Sequence, residues 1–385
     1  MLRPIHTPLV LLLVAVPCRS ALADVLHVPH DYDTIQEAAD AAVDGDTIAI
    51  SGGVYDEAVV VSNLSDVRIL AKGKVVIDPP NVAAGLTVQN CTDVDVIKVR
   101  VSGATDGIVF SGCTGGSLQK CRVEDVSGNG IVIDDSQFVL VVKCRVENTG
   151  GHGVSLGPTL PSDDCNLLLN TIISPGDAGF DVSGDWNSLE SNRVLDAAGD
   201  GFRTAAVPVA ANNEMALNKV IHAGGNGFVI GGDDNELWVN KAIQPAGHGF
   251  QLVSGTGHVV GFCKAIKPGQ DGVLGEATAV QVSVFNSSFK KPGADGVVVG
   301  GDNSFVTKCK IAAAEVNGCV VGGDGGYWMG NHATGSGDDG FQMEGTGNTL
   351  TKNKAHGSHG GFDLNDLAGG DNTIDETNKF KTWSP

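Results

Sequence analysis

Aromatic side chains are scarce in this chain: four Trp, three Tyr and thirteen Phe in 385 residues. A deep cleft that threads a sugar polymer needs rings to stack on, so the composition argues against one. Positive charge is scarce as well. The chain has 25 Lys and Arg against 45 Asp and Glu, a formal charge of −20 at pH 7, which disfavours nucleic acid as a partner because phosphate binding rests on clustered cations. Beyond residue 23 no apolar run is long enough to span a membrane.

What the chain has in abundance is glycine, and its placement is regular. Glycines 85, 107, 130, 153, 179, 201, 227, 249, 272, 296, 318, 340 and 361 recur about every 23 residues, each followed by an apolar residue, a variable one and usually another apolar one. A period of that length predicts a solenoid, in which each repeat buries its core by stacking on its neighbours. The apolar residues alternate with period two, as in Gly227-Phe228-Val229-Ile230, and the repeats lack both helical periodicity and a fixed leucine pattern. About 23 residues suit three short strands and three turns. The predicted fold is therefore an all-β, right-handed parallel β-helix of about 13 repeats, a rod on the order of 60 Å long.

The two ends differ from the repeats. Arg3, the apolar run Leu9 to Val16 and Ala21-Leu22-Ala23 read as a leader cleaved before Asp24, which predicts a secreted or periplasmic protein; Cys18, after Pro17, makes a poor lipidation site. The expected organisation is 1–23 leader, 24–80 cap and first strands, and 81–385 repeat domain. Thr34-Ile35-Gln36-Glu37 is a capping box, Ile35, Ala38, Ala39, Ala42 and Val43 share one helical face, and Gly45 is the expected stop. That helix should plug the first rung. Strands are expected at 47–50, 58–61, 67–70 and 75–77, and Phe380 and Trp383 are the candidates for a lid at the far end.

Nine residues before the repeat glycine stands Cys121, Cys144, Asn170, Asn192, Asn218, Asn240, Cys263, Cys309 or Asn331. An inward asparagine in such a file can hydrogen-bond the rungs on either side. The cysteines in this file are expected to be small buried residues. Two pairs, Cys91 with Cys113 and Cys121 with Cys144, would stack near disulfide distance.

The segment from Thr34 to Glu57 resembles the opening motif of pectin-lyase-like β-helix proteins, through Gly45-Asp46-Thr47-Ile48 and Gly53-Val54-Tyr55-Asp56-Glu57. The resemblance implies the fold. It leaves activity open, because such scaffolds host lyases, hydrolases, epimerases, tailspikes and non-catalytic repeat proteins.

Four files of residues bear on chemistry. The residue before the repeat glycine runs Asp106, Asn129, His152, Ala178, Asp200, Asn226, His248, Asp271, Asp295, Asn317, Asp339. Asp and Asn suit a turn there. The resemblance to polygalacturonase-like hydrolases implies catalytic acids in the same file, yet no adjacent rungs carry the full set that inverting hydrolysis needs. Arg203, beside Asp200, is a candidate base, with Asp200 and His248 as further catalytic candidates, or else an ion-pair partner of a nearby acid. Asp302 and Asp324, on adjacent rungs, are candidate ligands for calcium, the one cofactor the chain suggests, or else solvated turn residues. Eight residues before the glycine lie Arg122, Arg145, Arg193, Lys219, Lys241, Lys264 and Lys310, which should form an outward basic stripe. Arg193, Lys219, Lys241 and Lys264 are the candidate substrate-binding residues, for an anionic polysaccharide, unless flanking acids neutralise them. Val109, Val132, Val229, Leu274, Val298 and Val320 form a further outward stripe that another subunit could cover.

Three functions fit: a protein that binds or modifies acidic polysaccharide, lyase-like or epimerase-like if catalytic; a non-catalytic structural or adhesive rod; and a periplasmic metal-handling β-helix.

Overall fold

The computed structural model describes residues 23–80, 82–204, 210–369 and 371–384; apart from Ala23, the predicted leader lies outside them. Each rung contributes three short strands, and equivalent strands of successive rungs pair in parallel, so the chain winds into a β-helix with three ladders. The first ladder runs from Val59–Ser62 through Phe202–Thr204 to Trp383–Ser384 and has 15 strands. The second includes Asp95–Ile97 and Glu236–Trp238, and the third Arg122–Val126 and Lys264–Ile266. The long strand Arg68–Ile77 feeds both, joining them into one 28-stranded sheet.

The first ladder exceeds the thirteen glycine repeats because Val59–Ser62 and Trp383–Ser384 join it without a repeat glycine. At the last repeat the glycine also slips: Gln342 pairs with Asn365, so Asp363, two residues after Gly361, stands beside Gly340. The repeat glycine exists because two walls meet there. A Cβ on Gly227 would sit 2.6 Å from the Ala242 Cβ of the third ladder and 2.5 Å from the Gly249 carbonyl of the next rung.

Inward side chains stack as evenly as the backbone. Phe180, Phe202, Phe228 and Phe250 are fully buried, with ring centroids 4.7, 5.0 and 4.9 Å apart and planes within 10° of parallel. Outward side chains stack too, which changes the expected valine stripe. Its members share a file, but Val132 and Val320 are only 6% exposed, because neighbours ~4.8 Å away cover them.

Polar side chains fix the rungs at the turns. The Oδ1 atoms of Asn192, Asn218 and Asn240 accept the backbone N–H of the preceding asparagine in the file at 2.8 to 2.9 Å. Their amides donate back to the carbonyls of Leu167, Leu189 and Met215 at 2.6 to 2.7 Å. A second asparagine file, Asn187, Asn213 and Asn235, does the same at the turn before the second ladder. Where cysteine replaces asparagine, the thiol makes the backward bond, as from Cys263 to Leu237 and Cys309 to Val284. All eight cysteines from Cys91 to Cys319 are free and buried, so neither stacked pair is bridged. Burial pushes the thiols of Cys165, Cys263 and Cys309 up to about 12.

The capping helix, Ile35–Ala41, buries Ile35, Ala38 and Ala39 over the first rung, with its capping box intact. It ends earlier than expected. The C-cap is Ala42, in extended conformation, while Val43 is exposed and Gly45 makes a later turn. The motif acids hold this end together: Glu57 accepts the N–H groups of Ile35 and Gln36, and Asp46 accepts those of Asp24 and Val43. A strand absent from the sequence reading, Val25–Val28, pairs with Thr47–Ile50. At the far end Phe380 packs on Phe341, whereas Trp383 is 56% exposed and forms an edge strand.

Two outcomes test this packing. Asn192→Ala leaves the Asn170 N–H buried without a partner and takes one of two hydrogen bonds from the Leu167 carbonyl, and should cost about 1 to 3 kcal/mol, read as a lower urea midpoint. Cys165, Cys263 and Cys309 should resist a thiol reagent at pH 8 in the folded protein and react fully in denaturant.

Candidate functional site

The turn between the second and third ladders sets two outward files side by side. Its first residue adopts a left-handed conformation, the second points inward as the Asn or Cys of the ladder, and the third points out as the first residue of the next strand. On three successive rungs these triplets are Leu217-Asn218-Lys219, Val239-Asn240-Lys241 and Phe262-Cys263-Lys264, with φ of 59°, 59° and 56° at the first position. Left-handed backbone costs a bulky residue ~1–2 kcal/mol. It turns Leu217, Val239 and Phe262 outward, 51, 49 and 53% exposed.

The basic stripe is in register: Arg193 pairs with Lys219, Lys219 with Lys241, and Lys241 with Lys264. Whether acids neutralise it depends on position. Arg122 forms an ion pair with Glu124 at 2.8 Å and donates a hydrogen bond to Glu147 at 2.5 Å, and Arg145 also pairs with Glu147. From Arg193 to Lys264 the residues in the glutamates' place are Leu195, Ile221, Ile243 and Ile266. Among the described residues, these four cations have no acid partner.

On the other side of the ridge the second ladder contributes rings. Trp238 and Phe285 lie on either side of Gly261, whose missing side chain makes their approach possible: a Cβ there would sit 2.6 Å from Trp238 Cζ3 and 3.0 Å from Phe285 Cζ. Their centroids are 5.5 Å apart at 66°, and Phe262 meets Phe285 at 5.9 Å and 83°. Trp238 Nε1 donates to Glu236 at 2.7 Å and fixes the indole. The result is an aromatic patch beside an apolar ridge beside a row of unpaired cations.

The file before the repeat glycine is a third turn ladder. Asp200 Oδ1 accepts the Asn226 N–H at 2.6 Å, Asn226 Oδ1 that of His248 at 2.7 Å, and His248 Nδ1 that of Asp271 at 3.2 Å. Asp200 and His248 are therefore two rungs apart, separated by Asn226. Arg203, the candidate base, is ion-paired, as the alternative reading expected. Its Nε bonds Asp181 at 2.8 Å, and Asp181, aided by Asp177 and Asp200, raises its already high pKa. A constellation not anticipated from sequence surrounds it: His152 lies 3.6 Å from both Asp177 and Asp181, its Nδ1 unpartnered, as is the buried Ser155 Oγ. Reading the strand's outward file in register would have exposed it, because Ser155, Asp181 and Arg203 interrupt the valines on three consecutive rungs.

Asp302 and Asp324 do stack, and each has an oxygen engaged in the turn: Asp302 accepts the Asp324 N–H, and Asp324 the N–H and hydroxyl of Thr346. Among the described residues no His, Cys, Asp or Glu forms a cluster of three or more suited to a metal ion. No helix among them is long and apolar enough to cross a membrane.

A family model described as "right handed beta helix region" matches residues 53–187 and 263–381. Comparison with curated proteins finds no match. Solved structures that share the fold include the A-module of the mannuronan C-5 epimerase AlgE6 of Azotobacter vinelandii, with 14% identity, a TM-score of 0.56 and coverage of 91% of this chain and 94% of that one. A mannuronic-acid-specific family 6 polysaccharide lyase from human gut microbiota has 12% identity, a TM-score of 0.55 and coverage of 90% and 86%. The tailspike of an E. coli bacteriophage, in complex with a pentasaccharide, has 9% identity, a TM-score of 0.57 and coverage of 87% and 73%. At such identities the likeness is one of fold.

Gly261→Val tests the aromatic patch. The added side chain should force Trp238 and Phe285 apart, altering near-ultraviolet circular dichroism and Trp fluorescence while the far-ultraviolet spectrum stays unchanged.

Proposed function

The chain belongs to the right-handed β-helix family, and from that premise we propose that it is an exported protein that binds an acidic polysaccharide along the ridge between its second and third ladders. The observation that carries this reading is the row Arg193, Lys219, Lys241 and Lys264, which is in register and without acid partners beside the exposed Leu217, Val239 and Phe262. Like charges ~4.8 Å apart repel. A carboxylate-bearing polymer relieves that repulsion, and a rung advances the rod by about one sugar residue, so repeated sugars meet repeated cations. The apolar faces of the sugar rings then lie on Phe262 and the Trp238–Phe285 pair. The polysaccharides in the names of the structural neighbours, mannuronan among them, agree with this substrate class.

Modification of the polymer is the second reading, favoured by the unpartnered His152 Nδ1 and Ser155 Oγ beside Asp181. In this reading His152 would take up the sugar proton in uronate elimination or epimerisation, with Arg203 beside it as the ion-paired partner of Asp181. Calcium at Asp302 and Asp324 would lie six rungs from His152, so it would brace the turns of the rod and not act in that reaction.

Polygalacturonate and alginate affinity tests the binding. Lys219→Ala, Lys241→Ala and Lys264→Ala together should weaken it at least tenfold at low salt, and salt should weaken the wild type likewise. Phe262→Ala should weaken it about threefold to tenfold with little change in salt dependence. Affinity untouched by the lysine changes would remove the ridge as the binding face. For the enzyme reading, a rise in ultraviolet absorbance on either polymer that disappears in His152→Ala supports elimination, with calcium and a chelator in parallel arms; no rise with any uronate removes it.

A further inference from the structure

The same turn changes character at the first rungs of the rod. Its left-handed position carries Lys98, Lys120 and Lys143 on three consecutive rungs, with φ of 62°, 56° and 57°, where later rungs carry Leu217, Val239 and Phe262. Two residues on, in register, stand Arg100, Arg122 and Arg145. Together with Lys74 they line a groove of about 490 Å³ whose wall contains no acid. All three lysines are exposed, and each takes a backbone conformation that favours glycine or asparagine over a long side chain.

Seven cations in one groove are unexpected in a chain with 45 acids and 25 bases. Glu124 and Glu147 engage only Arg122 and Arg145, from the side of the third ladder. They orient the two guanidinium groups and leave Lys74, Lys98, Arg100, Lys120 and Lys143 without an acid partner among the described residues. Stacked ammonium groups repel unless a multivalent anion lies between them. A uronate polymer presents one flat carboxylate per sugar. A sulfate or phosphate ester presents three oxygens per group, which arginine forks and lysine ammonium groups contact from several sides.

We infer that this groove is a second anion site, for sulfate or phosphate esters carried on a glycan. It shares a turn with the ridge proposed above but not its residues, and its ligand chemistry does not depend on that reading. A glycan charged more densely than one carboxylate per sugar enters here, where two rows of cations stand side by side, in preference to the single row from Arg193 to Lys264.

The experiment uses the full chain and measures affinity for dextran sulfate, a phosphorylated dextran and polygalacturonate. Lys98→Asn, Lys120→Asn and Lys143→Asn are made together, because asparagine tolerates the left-handed turn. A Lys98→Arg, Lys120→Arg, Lys143→Arg variant preserves charge as the control. The asparagine variant should lose at least tenfold in affinity for dextran sulfate, phosphorylated dextran or both, and the two polymers distinguish the ester that the groove prefers. It should keep its affinity for polygalacturonate, and the arginine variant should bind as the wild type does. Unchanged affinity of the asparagine variant for both esters overturns the inference, as does an equal loss on all three polymers. If polygalacturonate fails to bind the wild type while the ester result holds, the ridge reading fails and this one stands.

Discussion

The capture of one rung's backbone N–H by the turn side chain of an adjacent rung is the interaction on which the rest of the structure depends. Strands of three residues cannot hold a register by themselves. At three turns per rung, asparagine, aspartate or a substitute accepts an N–H from an adjacent rung, reaching back in the two inward asparagine files, where it often donates to a carbonyl, and forward in the file before the repeat glycine. A slip of one residue would break these bonds in buried surroundings and turn every inward side chain outward. That penalty recurs along the rod. It keeps residues about one repeat apart in straight files, and the files are what make a surface.

From the files come the chemical possibilities. A column of lysines is a row of charges at strand spacing, and the column beside it decides whether that row is free. Glutamate at 124 and 147 pairs with Arg122 and Arg145 near the first rungs, and leucine or isoleucine at 195, 221, 243 and 266 leaves the later cations without acid partners. A glycine at 261 lets two rings approach across one rung. None of these features needs a pocket; the rod's outer surface supplies a line of repeated contacts, which suits a repeated ligand.

Much of this was legible in the sequence, for a physical reason: a solenoid writes its three-dimensional neighbours at a fixed spacing. The repeat glycines, the inward Asn and Cys file and the basic stripe all follow from period alone. What remained hidden depended on side-chain direction within a rung. The left-handed turn residue breaks the alternation of the strand, so Phe262, Lys98, Lys120 and Lys143 could not be assigned an outward direction by counting. Arg203 was legible as an outlier in its file, but its partner was not, because Asp181 lies one rung earlier in the strand while Asp200 lies closer in sequence. The helix ended before Gly45 because Ala42 takes an extended conformation that closes the last turn without a left-handed residue.

The central claim is that Lys219 and Lys241 are outward neighbours on consecutive rungs and Lys264 is one rung beyond. Since the eight thiols from Cys91 to Cys319 are buried, pyrene can be attached selectively, with Cys18 changed to Ser, at cysteines introduced at these positions. Labels at 219 and 241 should show strong excimer emission in the folded protein and labels at 219 and 264 markedly less, both disappearing in denaturant. Equal emission from the two pairs, or none from the first, would contradict the account.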